Sequence, residues 1–201
     1  VGDVFTPAVL VDGYAHGIFP WPFPDYHNPQ KHHTGWFSPD PRCIFEFETF
    51  HIPKRLKSVL NSGKFEIRCD TDFRRVITYC AANPHRLDGS WITPPMLAAY
   101  VKLHQLGIAH SVEAYHKGRL AGGVYGIALR GLFAAESMFY LEPDASKVAL
   151  AALVERLKRQ GFQLLDIQAK TDNTARFGAA EISRTEYLQR LHQALQVNIE
   201  F

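Results

Sequence analysis

From Ala109 to Tyr140 the chain reads as three extended runs joined by two-residue turns. AHSVEAYH leads to Lys117-Gly118, RLAGGVYGIAL leads to Arg130-Gly131, and LFAAESMFY follows. Such short Gly-containing turns hold successive strands antiparallel, so this stretch predicts a meander. On either side the period becomes helical. Thr93-Pro94 supplies an N-cap and a first-turn proline ahead of MLAAYVKLHQLG, with Gly107 as its C-terminal stop. After the meander, PDASKVALAALVERLKRQG carries an amphipathic repeat closed by Gly161. FQLLDIQA reads as a further strand, and Ser183 with Glu186 gives a capping-box signal for the last helix. Helix, three strands, helix, strand, helix is an α+β order with a mostly antiparallel mixed sheet.

Residues 1–45 read as a small N-terminal α/β domain and residues 46–201 as the larger one. Thr6-Pro7 opens the first helix and Gly17 ends it. Gly17 to Arg42, GIFPWPFPDYHNPQKHHTGWFSPDPR, is so rich in proline that regular structure is not expected through most of it. Its aromatics Phe19, Trp21, Phe23 and Trp36 argue instead for a loop packed as a cover over a cleft. CIFEFE and KFEIRCD alternate like strands. IPKRLKSVLNSG and DTDFRRVITYCAANP read as helices.

The composition is that of a globular protein, with 46% apolar and 21% charged residues in 201. A net charge of +2 does not demand a nucleic-acid partner but leaves room for a local basic patch. Cys43, Cys69 and Cys80 have no metal-ligand spacing, and their odd, sparse number suits a reducing, cytoplasmic setting. No apolar run approaches ~20 residues, so no membrane span is expected.

The chemistry of interest lies in the strands. LFAAESMFY surrounds one carboxylate, Glu136, with small and aromatic residues, and a charge there is costly unless it has partners. Alternation places Leu132, Ala134, Glu136 and Met138 on one face. In LLDIQ, Asp166 and Gln168 share a face, roughly 6.5–7 Å apart along the strand. Each group could belong to a site, or could simply satisfy a buried backbone or arginine partner. No Ser-His-Asp order, activated cysteine or metal cluster is legible. Carboxylates and an amide can orient an amine and manage its proton. Lys54, Arg55 and Lys57, at the start of a helix, could hold phosphates or form a solvated face. Arg156, Lys158 and Arg159 already suit a helix C-terminus. AGGVYG lies inside a strand and lacks phosphate-loop spacing. Its glycines mark a bulge or the close approach of another backbone or a ligand.

The order of elements from residue 93 matches the core of N-acetyltransferase-like acyltransferases. GIFPW, WFSPDPR, WIT, AHSVE, GGVYG, ESMF, ASK, LLDIQ and FGAAEI, in that order, resemble the leucyl/phenylalanyl-tRNA–protein transferase family. The resemblance implies transfer of Leu or Phe, with Met a further candidate, from charged tRNA to the N-terminal Arg or Lys of a protein, marking it for N-end rule degradation. It implies a small N-terminal domain, an acyltransferase-like C-terminal domain and no cofactor or metal. By resemblance Glu136, Asp166 and Gln168 are the catalytic positions. Gln168 would hydrogen-bond the attacking amine, with Asp166 and Glu136 orienting the groups. Trp91, Val124, Phe133, Ser137, Leu153 and Leu165 match the lining of the aminoacyl pocket. Trp21 matches an aromatic near the adenosine end of the tRNA, and Lys54, Arg55 and Lys57 match a region facing the acceptor stem. Two alternatives remain. One is an acetyl-CoA-dependent N-acetyltransferase, although YLEPDASKVAL lacks the glycines that pyrophosphate binding uses. The other is a non-catalytic module that binds N-degrons or tRNA.

Overall fold

The computed structural model describes residues 5–24, 32–82 and 92–201. Helix α1 (Pro7–Ala15) starts where the Thr6 hydroxyl accepts from the Val9 amide at 3.3 Å, and Gly17 leaves it at φ +76°. The irregular structure expected for Gly17–Arg42 is corrected here. Strands β1 (Phe19–Pro24) and β2 (His32–Phe37) pair antiparallel, Phe19 opposite Phe37 and Pro24 opposite His32. Pro20, Pro22 and Pro24 sit at alternate positions, so all three missing N–H groups fall on the edge away from the partner strand. Three prolines are tolerated because of their phase.

The other strands are β3 (Arg42–Phe45), β4 (Glu66–Cys69), β5 (Ala109–His116), β6 (Arg119–Leu129), β7 (Leu132–Tyr140), β8 (Leu164–Gln168) and β9 (Ala180–Ile182). They form one mixed sheet in the order β4-β5-β6-β7-β8-β3-β9, antiparallel throughout except for the parallel pair β7 and β8. That pair is parallel because helix α5 (Ala145–Gln160) crosses between them. Strand β3 lies between β8 and β9, which ties the segment after the hairpin into the large sheet. It stops at Phe45, short of the CIFEFE run, because the chain turns at Phe47, Glu48 and Thr49.

Helices cover both faces. Apolar residues of α5 and α2 (Lys54–Asn61) pack on one side, with Val124, Phe133 and Leu165 from the sheet. On the other, α1, α3 (Phe73–Ala81) and α4 (Pro94–Gln105) pack over Ala109, Tyr125 and Ala134. Helix α7 (Arg184–Ala194) closes the far end through Tyr187 and Leu191. A single turn, α6 (Asp172–Ala175), follows β8 and is capped by Thr171.

Two bulges shape the middle of the sheet. Tyr125 pairs with Ser137 and Gly126 with Ala135, so Glu136 is the extra residue on β7. Cys43 pairs with Gln168 and Ile44 with Asp166, so Ile167 is the extra residue on β8. A bulge reverses the alternation beyond it. Phe133 and Ala135 therefore face α5 before the bulge, whereas Met138 faces it afterwards. The single face expected for Leu132, Ala134, Glu136 and Met138 is thus corrected: Ala134 packs on the α4 side and Met138 on the opposite one.

Candidate active site

The parallel pairing of β7 and β8 runs only from Leu132–Leu164 to Ala134–Asp166. Beyond it the strands part, and their bulged ends turn Glu136 and Gln168 toward each other. The Gln168 carboxamide donates from Nε2 to Glu136 Oε1 at 2.7 Å. Gln168 holds φ +58°, a left-handed backbone that costs a residue with a Cβ ~1 kcal/mol. A hydrogen bond from its own amide to Asp166 Oδ1, 2.9 Å, supports that conformation.

Asp166 is fully buried beneath the pair. Arg42 Nε and Nη2 reach its two oxygens at 2.9 and 2.6 Å, and the Tyr187 hydroxyl donates at 2.8 Å. Arg42 is itself buried, donates to the Gly17 carbonyl at 3.0 Å, and lies between the rings of Phe19 and Tyr187. Breaking such a pair from one side leaves an uncompensated charge in the core. Of the two readings open for these residues, Asp166 fits the structural one, since its bonds go to Arg42, Tyr187 and the backbone of Gln168.

Glu136 is only partly buried. Its other oxygen accepts from the Tyr100 hydroxyl at 3.2 Å, and Tyr100 contacts the Tyr14 hydroxyl at 2.6 Å. Burial pushes the Glu136 carboxyl up to about 7; the Asp166 charge adds to this, while the two tyrosines and Arg42 oppose it. Burial and Glu136 together raise both phenols, which stay protonated at neutral pH. Near pH 7 Glu136 is therefore poised to take up or release a proton.

Glu136 and Gln168 form the polar end of a cleft of about 680 Å³. That size suits a small ligand held mainly by apolar contact. Phe45, Val124, Met138, Leu150 and Ile167 give the apolar wall; Trp21 and Phe37 from the hairpin stand at its side; Thr171 and Thr174 add hydroxyls. Among the residues expected to line a pocket, Trp21, Val124 and Ser137 do so. Phe133, Leu153 and Leu165 are instead buried behind the wall, in the core between sheet and α5. Trp91 lies outside the described residues. Lys54, Arg55 and Lys57 are exposed on α2, away from the cleft wall. Met138 lines the cleft beside Glu136; alternation groups the two, but strand period does not tell a cleft face from a core face. Leu150 was open to helical periodicity on α5, but periodicity does not tell core from cleft.

The strand glycines serve packing. A Cβ on Gly122 would lie 2.7 Å from Ala145 Cβ and 2.8 Å from the Ser146 amide nitrogen, and one on Gly126 would meet the Ala134 carbonyl. Gly122 thus lets the start of α5 press onto β6, and Gly126 accommodates the bulge. The close approach is that of the chain's own backbone.

Among the described residues no group of His, Cys, Asp and Glu is arranged to hold a metal ion, and no helix is long and apolar enough to cross a membrane. Fold and site together define an α+β protein with a carboxylate–carboxamide pair at the polar end of an apolar cleft. Comparison with known proteins narrows this. The leucyl/phenylalanyl-tRNA protein transferase family model matches residues 44–192, and the model of that family's N-terminal domain matches residues 3–40. The chain belongs to this family. A leucyl/phenylalanyl-tRNA–protein transferase from Nitratidesulfovibrio vulgaris (strain DP4) is 47% identical over 96% of this chain and 81% of its own length. One from Rubrobacter xylanophilus is 44% identical over 98% of both chains. Among solved structures, an aminoglycoside acetyltransferase from an uncultured soil metagenomic sample aligns with a TM-score of 0.44 and 16% identity, over 58% of this chain and 86% of that one.

Proposed function

We propose that this protein moves leucine or phenylalanine from a charged tRNA to the N-terminal amine of a protein, with Arg or Lys as the accepting residue. Family membership supports the reaction class. The observation that carries the mechanism is the hydrogen-bonded Gln168–Glu136 pair at the polar end of an apolar cleft. The cleft takes the Leu or Phe side chain. One methylene changes binding in such a pocket by only ~1–3 kcal/mol, so methionine is also accepted, more weakly.

The aminoacyl ester is already activated. The α-amine nitrogen of the acceptor attacks the ester carbonyl carbon, the bond to the ribose oxygen breaks, and the tRNA leaves with a free hydroxyl. The nitrogen sheds a proton in the process. An α-amine has an ordinary pKa of about 7.7–8.0. Glu136, held near 7, is close enough to accept that proton and to return it toward the leaving oxygen. Gln168 accepts a hydrogen bond from the amine through its carboxamide oxygen, since its Nε2 is engaged by Glu136. Asp166 acts by holding the backbone of Gln168. Trp21, beside the cleft, is placed to meet the terminal adenosine. Lys54, Arg55 and Lys57 form an exposed basic edge for the acceptor stem. The expected role is N-end rule marking for degradation in the cytoplasm, a reducing compartment that suits a sparse, odd number of cysteines.

The test is a transfer assay with [14C]leucyl-tRNA, peptides that begin with Arg, Lys or Ala, and a parallel acetyl-CoA reaction. Label on the Arg and Lys peptides alone is expected. Acetyl transfer, or tight tRNA binding without transfer to any peptide, would refute the proposal.

A further inference from the structure

The two faces of the hairpin are used differently. Cross-strand register puts Phe19, Trp21 and Phe23 on one face with Phe37, Gly35 and His33, and Pro20 and Trp36 on the other. The second face rests in part on α1, where a Cβ on Gly13 would meet the Trp36 ring, and Trp36 itself stays 36% exposed. The first is buried only at its base, where Phe19 covers Arg42. Moving outward, Trp21 is 45%, Phe37 42% and Phe23 36% exposed, and His33 is exposed too. Water faces a continuous row of aromatic rings that begins on the cleft wall and leads out of it.

We infer that this row is a stacking track for the unpaired nucleotides that precede the terminal adenosine of the donor, with Phe23, His33 and Phe37 as its outer rings. The inference rests on the proposed tRNA substrate. Several observations favour nucleobases over other occupants. The track shares Trp21 and Phe37 with the cleft, so a strand whose 3′ end lies in the cleft meets it on leaving by the hairpin side. Successive side chains on one face of a strand stand about 6.8 Å apart, which is the gap that one flat base fills between two rings. Phe23 meets Phe37 edge-on, at 6.5 Å and 76°, rather than face to face. The two rings close over Gly35, where an added Cβ would lie 2.7 Å from Phe37 and 3.0 Å from Phe23, so the floor between them is bare backbone. Among the described residues the row also holds no carboxylate, which a cationic acceptor residue would seek. Stacking on aromatic rings holds single-stranded nucleic acid without reading its sequence, and a phosphate strand running past exposed rings is its common form.

The test compares two donors, leucyl-tRNA and leucyl-adenosine, with Phe23→Ala and Phe23→Tyr variants of the full chain. Phe23→Ala should raise KM for leucyl-tRNA about tenfold, the equivalent of ~1.4 kcal/mol, with little change in kcat. It should leave kcat/KM for leucyl-adenosine unchanged, and Phe23→Tyr should restore the wild-type KM. Equal losses on both donors would mean that Phe23 merely supports the cleft and would overturn the inference. A raised KM for the acceptor peptide alone would overturn it by assigning the row to the acceptor. Should the wild type fail to transfer at all, titration with a single-stranded RNA ending in CCA still decides the matter. Binding weakened by Phe23→Ala would keep the track, and binding unaffected by it would remove it.

Discussion

The behaviour of Glu136 follows from where its oxygens point. A carboxyl held near 7 by burial is half ionised at neutral pH. If it manages the amine's proton, kcat/KM should rise with pH through about 7. Glu136→Gln should lower activity by ~10²–10⁴-fold and abolish that limb of the profile, which leaves only the amine's own ionisation. A pH–rate series on both proteins checks this. Asp166 calls for a different experiment. Arg42→Ala should cost about 3–5 kcal/mol in a urea melt because it strands a buried carboxylate. Replacing both partners with apolar residues, Arg42→Met with Asp166→Leu, should recover much of the stability. Transfer should still be lost, because the Gln168 amide loses its acceptor. The residues themselves were legible early: a lone carboxylate in an apolar strand, and an acid and an amide two apart in another. Their division of labour was not legible. Only the contacts show that Asp166 belongs to Arg42 and Tyr187 while Glu136 and Gln168 belong to the cleft.

At the scale of elements, local signals with local causes were read well. Thr6 and Thr93 cap their helices as expected, and both positions of the Lys117-Gly118 turn have positive φ, as a tight hairpin requires. The hairpin β1–β2 is not legible from proline count, because what permits it is proline phase, which leaves the bonded edge its N–H groups. The bulge at Glu136 was missed because it arises from a mismatch between two strands, which neither strand carries alone. Gly122 lies between these cases: its need for a missing side chain is visible in the sequence, its reason only in the packing of α5 on β6. Gly122→Ala should therefore destabilise by ~1–3 kcal/mol even though alanine suits the backbone, since the atoms it meets are the Ala145 Cβ and the helix backbone at Ala145 and Ser146. Thermal unfolding of that variant, beside Gly63→Ala as a comparison at an open left-handed turn, separates a steric cost from a conformational one.

Across the whole molecule, the raised Glu136 links activity to stability. Its folded value lies above that of an unfolded glutamate, so the native state holds more protons between about 4.5 and 7. The contribution of this group to stability is fully present below about pH 4.5 and is lost as pH rises through about 7. Glu136→Gln, which stays neutral, should remove that loss, so the mutant's urea midpoint should gain on the wild type's from pH 5 to pH 8. A constant difference would show that Glu136 is not perturbed in the folded state. This is a cost at neutral pH that the fold bears for a carboxyl inside an apolar cleft.

The sequence by itself determined the order of elements, the caps and turns, and the types of residue available for chemistry. These depend on interactions between neighbours along the chain, which hydrophobic period and turn chemistry record directly. The tertiary structure alone decided which of those residues meet. The parting of β7 from β8, the parity change at Glu136, the seating of Trp36 on Gly13 and the aromatic row beside the cleft all come from contacts between segments far apart in the chain. A bulge moves side chains by one residue and so exchanges core for cleft, and no periodicity within one strand contains that information.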